Sequence, residues 1–408
     1  MKKNEINQFL YFGYIPKYNE SDVSKFRESM KRNNLYKNIS RDELINIGSY
    51  KLQNAINKLI TKNKFNVVPL SGGLDSRAIL GGLLNAGLKK NIRTVTFGSP
   101  NTYDYEIGNY IANKMNLKHN KINLEKINID EVKLIKTFND QKVITDLFTH
   151  FFYTTITKTY GTNCVYWSGF MGDPLAGSHL YKNDSQNIKK AKLRFIKFNK
   201  QVKSLDVFNE ENFIDLLPRV EIEENSLLSY DEQFDFFIRQ FHWVKNMVLS
   251  KNYEFRTPFM DEDWIEFILN VPRDERYDQK LYKDILKDLH PELFSYPIKD
   301  NYGLNINTPK PIIDLKRVTH IVKMLLKRKL SFDIDDKGQN YIDFDKMFRN
   351  REDYRNLAHN KLKKLNDRKI ISNIDPLDIF NKHIAKEKEY GDAIRHMISL
   401  EIILEQKN

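Results

Sequence analysis

Two short segments of this 408-residue chain combine small residues with a single carboxylate, and the first of them is SGGLDS at residues 71–76. Its paired glycines let the backbone curl so that successive N–H groups point into one concavity, with the N-terminus of the following helix behind them. Such a concavity suits phosphate. A carboxylate beside an anion site, here Asp75, indicates that a divalent cation lies between the two. The segment therefore favours a nucleotide site over an ordinary serine- and glycine-rich connection.

The second segment, SGFMGD at residues 168–173, follows another apolar run and repeats the same combination. Small residues permit close approach of the backbone, and Asp173 stands at the end. If the two segments lie at neighbouring strand ends, their carboxylates can share one magnesium ion on a triphosphate, because Mg²⁺ requires oxygen ligands. Judged by its spacing alone, the segment is equally compatible with a glycine-rich turn that carries a solvated aspartate.

The apolar pattern predicts the elements that position these segments. Short apolar runs separated by helical periodicity are typical of βαβ units, which form a parallel sheet. Ligands on such sheets lie beyond the carboxyl ends of the strands. Strands are predicted at 65–70, 93–97, 119–124 and 163–167, and helices between them at 77–86, 105–115 and 129–160.

The second half of the chain has helical patterns and no convincing strand. We therefore predict an α/β fold, with a parallel sheet, flanking helices and a helical C-terminal lobe. The predicted divisions are a short N-terminal segment at 1–39, a nucleotide-binding core at 40–182 and the helical lobe at 183–408. Helices of the lobe are predicted near 188–204, 230–250, 261–269, 279–289, 315–329 and 376–405.

The composition excludes several classes of protein. With 40% hydrophobic residues the chain can bury a substantial core. No run approaches the ~18–20 apolar residues of a membrane span, so no membrane partner is expected. The chain does not open with a signal-peptide pattern, and a cytoplasmic protein is expected. The one cysteine, Cys164, excludes an intramolecular disulfide and is predicted to be buried in a strand.

The net charge of +12 invites a nucleic-acid hypothesis. Basic and acidic residues are mixed through most of the chain, however, so a nucleic-acid partner is not expected. The main basic concentration lies at 189–203, where lysines alternate with apolar residues. This segment is either a helix with one solvated cationic face or a docking site for an acidic partner or peptide.

Two further segments complete a pattern. EFRTPFMD occupies residues 254–261, and Lys299 stands in the context PIK. In this order, and together with the two glycine-containing segments, they resemble the synthetase domain of the asparagine synthetase family, including its relative β-lactam synthetase. The resemblance extends from about residue 40 to the end of the chain. SGGLDS resembles the PP-loop of that family, whose concavity holds pyrophosphate.

The resemblance implies an ATP-dependent amide-forming ligase with ATP and Mg²⁺ as cofactors. A substrate carboxylate attacks the α-phosphate to give an acyl-adenylate and pyrophosphate, and ammonia or an amine then displaces AMP. Among the implied catalytic residues, Glu254 assists deprotonation of the amine and Lys299 stabilises charge on the phosphates. The implied magnesium ligands are Asp75 and Asp173. The implied nucleotide contacts are Ser71, Gly72, Gly73, Asp75, Ser76, Ser168 and Gly169.

Two departures from the resemblance concern the amine. Asparagine synthetases carry glutamate, and β-lactam synthetase tyrosine, at the position of Phe170, which can neither donate nor accept a proton. The family's N-terminal glutaminase domain is not expected in this chain. The nitrogen donor is therefore expected to be free ammonia, an amine in the substrate or ammonia from a separate subunit. The carboxylate substrate is expected to be a small molecule or a peptide.

Two other functions stay open at this point. Phe170 is compatible with a degenerate nucleotide-binding partner protein that has no ligase activity. The positive charge is compatible with a PP-loop enzyme that modifies tRNA, which would bind RNA with a strong dependence on salt.

Overall fold

A computed structural model describes residues 1–28, 30–61, 63–224, 226–330, 337–338, 341–371 and 373–407. Within these residues a five-stranded sheet forms the centre of the molecule. Its strands are β1 Phe65–Pro69, β2 Ile92–Gly98, β3 His119–Asn123, β4 Cys164–Trp167 and β5 Phe255–Arg256. They are arranged in the order β3–β2–β1–β4–β5, and every pairing is parallel.

Helices surround this sheet and make up most of the remaining described residues. Those before β5 are α1 Lys3–Phe12, α2 Glu20–Glu28, α3 Arg41–Lys58, α4 Asp75–Asn85, α5 Tyr103–Lys114, α6 Glu131–Gln141, α7 Leu147–Tyr160, α8 Gly172–Leu175, α9 Ile188–Phe198, α10 Tyr230–Phe234 and α11 Lys245–Val248. Those after β5 are α12 Glu262–Asn270, α13 Arg273–Arg276, α14 Lys280–Leu289, α15 Pro291–Ser295, α16 Lys310–Leu330, α17 Phe344–Asn350, α18 Glu352–Asp367, α19 Pro376–Ile384 and α20 Gly391–Lys407. Residues Asp235–Val244 form a π-helix between α10 and α11.

The central strands are buried on both faces, as their continuous apolar runs require. Side chains alternate between the faces along each strand. Val68 of β1 enters the largest core, which includes α3, α4, α12 and α14. Val67 enters a smaller cluster on the other face with Cys164 and Tyr166 of β4. A further core joins α1, α6, α7, α18 and α20.

The predicted fold class is confirmed, and the four predicted strands lie within one residue of β1 to β4 at each end. Burial of Cys164 in β4 is also confirmed. No strand was expected after residue 183, and this prediction is wrong. β5 has only two residues, one of them the charged Arg256, and Glu254 precedes them, so no apolar run indicates a strand here. It forms because the N–H groups of Tyr166 and Ser168 donate to the carbonyls of Glu254 and Arg256.

Several predicted helices differ from the observed ones. The helical patterns at 129–160 are divided between α6 and α7, because Lys142 adopts a left-handed conformation and Asp146 caps a new helix. The pattern at 376–405 is likewise divided into α19 and α20. The polar N-terminal segment contains α1 and α2, which lacked a clear signal. In the basic segment, α9 buries Phe195 and Ile196 and exposes several lysines, as a helix with one cationic face does.

Within the described ranges, no helix has both the length and the apolar composition needed to cross a membrane.

Arg77 connects the helix after β1 to a distant part of the chain. It is fully buried, and its guanidinium donates to the carbonyls of Leu293 at 3.1 Å, Tyr296 at 3.2 Å and Pro297 at 2.6 Å. Burial lowers the pKa of Arg77 to about 10, so the group stays charged at neutral pH. These carbonyls belong to the segment that leads to Lys299. Arg77 therefore fixes the approach of that segment to the sheet.

We expect Arg77→Met to lower the free energy of unfolding by about 3 kcal/mol, because buried carbonyls lose a charged donor. Urea unfolding followed by circular dichroism measures this. The control is Arg355→Met, which removes an exposed arginine and should change stability by no more than about 0.5 kcal/mol. An equal change in the two variants would contradict the structural role of Arg77.

Candidate active site

Asp75 and Asp173 meet at the carboxyl ends of β1 and β4, which are neighbours in the sheet. The backbone N–H of Asp173 donates to Oδ2 of Asp75 at 3.0 Å. This contact depends on glycine in the second segment. A Cβ atom at Gly172 would lie 2.5 Å from Cγ of Asp75, and one at Gly169 would lie 2.7 Å from its Cβ. The two glycines therefore let the two carboxylate-bearing turns touch.

Serine hydroxyls of the loop between β1 and α4 accept hydrogen bonds from backbone N–H groups of the same loop. The N–H of Ser71 donates to Oγ of Ser76 at 3.3 Å, and the N–H of Gly73 donates to Oγ of Ser71 at 3.2 Å. The N–H of Gly72 donates to Oδ1 of Asp104 at 3.2 Å. α4 begins without a side-chain cap, so its N-terminus keeps its partial positive charge beside the loop. Such a loop and helix terminus can bind an anionic phosphate.

Carboxyl groups are crowded beside this loop. Burial, and then the charge of Asp173, raises the pKa of Asp75 well above its usual range. The fully buried Tyr282 donates from Oη to Oδ1 of Asp75 at 2.8 Å. Burial and Asp173 also raise the pKa of Asp300. A cation between neighbouring carboxylates relieves their repulsion, and carboxylate oxygens are the ligands that Mg²⁺ prefers. Asp75 and Asp173 therefore fit a magnesium ion.

Lys299 is attached to the same loop through its backbone. The N–H of Lys299 donates to the carbonyl of Gly72 at 2.9 Å. A Cβ atom added at Gly72 would lie 3.0 Å from the Cβ atom of Lys299. Its Nζ lies 2.5 Å from Oδ2 of Asp104. Asp104 thus accepts from both Gly72 and Lys299. This arrangement holds a cationic side chain beside the candidate phosphate site.

A cavity of about 310 Å³ adjoins Asp75 and Asp173. Ser168 and Gly169 line it, and most of the remaining wall is apolar. Phe170 also lines it and packs edge to face against Phe241, with the ring centroids 6.1 Å apart. Cavities of this size with apolar walls and a few polar groups are typical of small-molecule sites. The polar residues of its wall include His179, Arg239 and Gln240.

A family model described as asparagine synthase matches residues 50–294, which is more than half of the chain. The chain belongs to the asparagine synthase family. The matched range includes the whole sheet, both glycine-containing segments and the segment at 254–261, while Lys299 lies just beyond it. A search of curated proteins found no match. Membership in the asparagine synthase family supports an ATP-dependent ligase, and that family uses ATP with Mg²⁺.

The structure brings together all but one of the site residues predicted from the sequence. Glu254 lies apart from them. Its carboxylate is 2.5 Å from Nζ of Lys64 and also pairs with Arg256. Lys64 precedes β1 and lies at the amino end of that strand, whereas the loop that carries Asp75 follows its carboxyl end. The Lys64 hydrogen bond and the Arg256 charge lower the pKa of Glu254. Its position gives no support to the role in amine deprotonation that the resemblance implies.

Tyr282 and Asp300 were not among the site residues predicted from the sequence. Asp300 follows Lys299 directly, and this adjacency is a signal that could have revealed it. Tyr282 lies 207 residues from Asp75 in the chain and occupies a helix whose pattern resembles that of any amphipathic helix. Its contact with Asp75 arises from the packing of α14 against α3 and α4, which the local sequence does not specify.

We expect Asp75→Asn to stabilise the nucleotide-free protein at neutral pH. The pKa of Asp75 is higher in the folded protein than in the unfolded chain, so the protonated form of Asp75 favours folding. This contribution to stability is complete below the ordinary pKa of 3.8 and is lost as the pH rises through the folded-state pKa. Asparagine stays neutral throughout. Thermal unfolding without Mg²⁺ should show a larger advantage of the variant at about pH 8 than at about pH 5.

The matched control for this experiment is Asp367→Asn, which changes an exposed aspartate in the last turn of α18. Its effect on the melting temperature should be small and should not depend on pH in this way. A variant of Asp75 that is less stable than the unmodified protein at the higher pH would contradict the account of crowded carboxylates.

Proposed function

We propose that this protein is an ATP-dependent amide-forming ligase. It activates a substrate carboxylate as an acyl-adenylate, releases pyrophosphate and transfers the acyl group to ammonia or an amine with release of AMP. The observation that carries this proposal is the convergence of Asp75, Asp173 and Lys299 on the loop at 71–76. A triphosphate with its metal requires this combination of oxygen ligands, backbone donors and a cationic side chain.

The residues of the loop bind the β- and γ-phosphates, which leave together as pyrophosphate. Donors come from backbone N–H groups and from the hydroxyls of Ser71 and Ser76, with the N-terminus of α4 behind them. Asp75 and Asp173 hold Mg²⁺, which when bound neutralises charge on the phosphates. Lys299 stabilises the negative charge that develops as the bond to the α-phosphate breaks, since its position is fixed before the reaction begins.

The cavity beside the carboxylates receives the activated acyl group and the AMP to which it is joined. Ser168 and Gly169 line this cavity together with Asp75 and Asp173. Apolar walls exclude water, which matters because an acyl-adenylate is readily hydrolysed. The acid is a small molecule or a peptide. The nitrogen comes from free ammonia, from an amine within the substrate or from a separate subunit that releases ammonia.

A second candidate is a nucleotide-binding partner protein without ligase activity. It is favoured by Phe170, because this buried phenyl ring occupies the position where relatives carry an acid-base residue. Such a protein would bind ATP and Mg²⁺ without forming AMP. The preserved arrangement of Asp75, Asp173 and Lys299 favours the ligase, since binding alone does not need a cation poised at the departing phosphates.

We expect the unmodified protein to catalyse exchange of radioactive pyrophosphate into ATP when a suitable carboxylic acid and Mg²⁺ are present. Asp75→Ala and Asp173→Ala should each lower this exchange by roughly 10²-fold or more, because the phosphates lose their metal. Asp367→Ala serves as the exposed control and should retain full activity. Exchange that persists in both site variants would contradict the proposal, and ATP binding without exchange across a broad panel of acids would favour the second candidate.

A further inference from the structure

A histidine in the wall of the cavity forms a pair with an aspartate. Nδ1 of His179 lies 2.7 Å from Oδ2 of Asp235. His179 lines the same cavity as Asp75, Asp173 and Phe170. Family membership assigns no role to this pair, and the sequence pattern did not single it out. It lies where the activated acyl group would be, so it is a candidate for chemistry on that group.

The π-helix explains how the partners of His179 reach the cavity. It begins at Asp235, and its wider turn aligns residues five positions apart. Asp235 accepts a hydrogen bond from Nε2 of Gln240 at 3.2 Å and lies 3.4 Å from a guanidinium nitrogen of Arg239. Arg239 and Gln240 line the cavity as well. Two donors besides His179 therefore hold the Asp235 carboxylate in place.

Charges around His179 favour a bound proton. Burial lowers the pKa of His179, and the positive charge of Arg239 lowers it further. The carboxylate of Asp235 outweighs both effects, Asp173 adds a smaller one in the same direction, and the pKa of His179 is raised overall. Burial raises the pKa of Asp235, yet His179 and Arg239 lower it to about 2. The carboxylate is therefore charged at neutral pH and orients the imidazole through Nδ1. Within the described part of the chain, Nε2 of His179 makes no hydrogen bond.

We propose that His179, oriented by Asp235, is the general base that takes the proton from the attacking amine. This inference rests on the proposed function. The amine nitrogen attacks the acyl carbon, a C–N bond forms, and the bond from that carbon to the AMP oxygen breaks with its electron pair. Nε2 takes the proton that the nitrogen must lose, and the imidazolium passes it to water. The products are the amide and AMP.

The tyrosine hydroxyls of the cavity wall are already engaged in hydrogen bonds. The hydroxyl of Tyr153 lies 2.6 Å from that of Tyr341, and the hydroxyl of Tyr166 donates to the carbonyl of Gly161 at 2.6 Å. The guanidinium of Arg239 carries hydrogen-bond donors only and has no acceptor atom for a proton. Among the described residues that line this cavity, His179 is the only histidine. The Asp235 carboxylate that raises the pKa of His179 also makes its neutral imidazole a stronger proton acceptor.

The test separates acyl activation from amide formation. Pyrophosphate exchange into ATP identifies an acid that the unmodified protein activates and reports the first half-reaction alone. The second is measured with that acid and either ammonium chloride or hydroxylamine. We expect His179→Asn to keep exchange within about threefold but to lower amide formation from ammonia by roughly 10²-fold or more. The loss with hydroxylamine should be no more than about tenfold, because its less basic nitrogen gives up a proton to water more easily.

Two further variants complete the design. Asp235→Asn should reproduce the pattern in weaker form, because it leaves the imidazole in place but removes the charge that orients it. His359→Asn changes an exposed histidine of α18 and should leave both half-reactions unchanged. Exchange retained by His179→Asn also shows that this variant folds.

Three results would overturn the inference. Amide formation from ammonia at the unmodified rate in His179→Asn would exclude the role as base. Equal loss of exchange and amide formation in both variants, with equal loss for hydroxylamine, would indicate a structural role. Absence of exchange in the unmodified protein with every acid would remove the proposed function itself, and the inference with it.

Discussion

The structure depends on the approach of two carboxylate-bearing turns at the ends of β1 and β4. Oδ2 of Asp75 accepts the N–H of Asp173 at 3.0 Å, and only glycine at positions 169 and 172 leaves room for this contact. Burial and mutual repulsion make the arrangement costly in the absence of a cation, as the raised pKa of Asp75 indicates. The parallel sheet supplies the geometry, because neighbouring strands end at the same edge. A metal–triphosphate complex would relieve the repulsion.

Other parts of the chain hold further functional groups close to that contact. Arg77, buried in the helix after the loop, fixes the segment that leads to Lys299, and Lys299 in turn bonds to the carbonyl of Gly72. The two halves of the chain are therefore joined at the site itself. The cavity adjoins the same carboxylates, and the π-helix contributes Asp235, the partner of His179. In the proposed function, the phosphate site and the cavity for the acyl group are therefore adjacent, and Asp75 and Asp173 belong to both.

Much of this arrangement could be predicted from the sequence, because local patterns encode it. The strands are apolar runs, and the glycine-containing segments follow them directly, so the sheet and the loops at its edge were both predicted. The two-residue strand β5 escaped prediction since its pairing comes from its neighbour rather than from its own residues. Tyr282 and the pair of His179 with Asp235 depend on contacts between distant parts of the chain. Glu254 lies in a segment that matches the family's pattern, yet its carboxylate pairs with Lys64 at the amino end of β1, away from the phosphate loop.

The central claim is that ATP is cleaved between its α- and β-phosphates by attack of a carboxylate. The most direct measurement uses an acid labelled with ¹⁸O in its carboxyl group, followed by mass spectrometry of the phosphate products. Attack on the α-phosphate transfers one labelled oxygen from the acid to AMP, and the account predicts this result together with unlabelled pyrophosphate. Label in inorganic phosphate, accompanied by ADP, would contradict the account because it indicates activation as an acyl-phosphate.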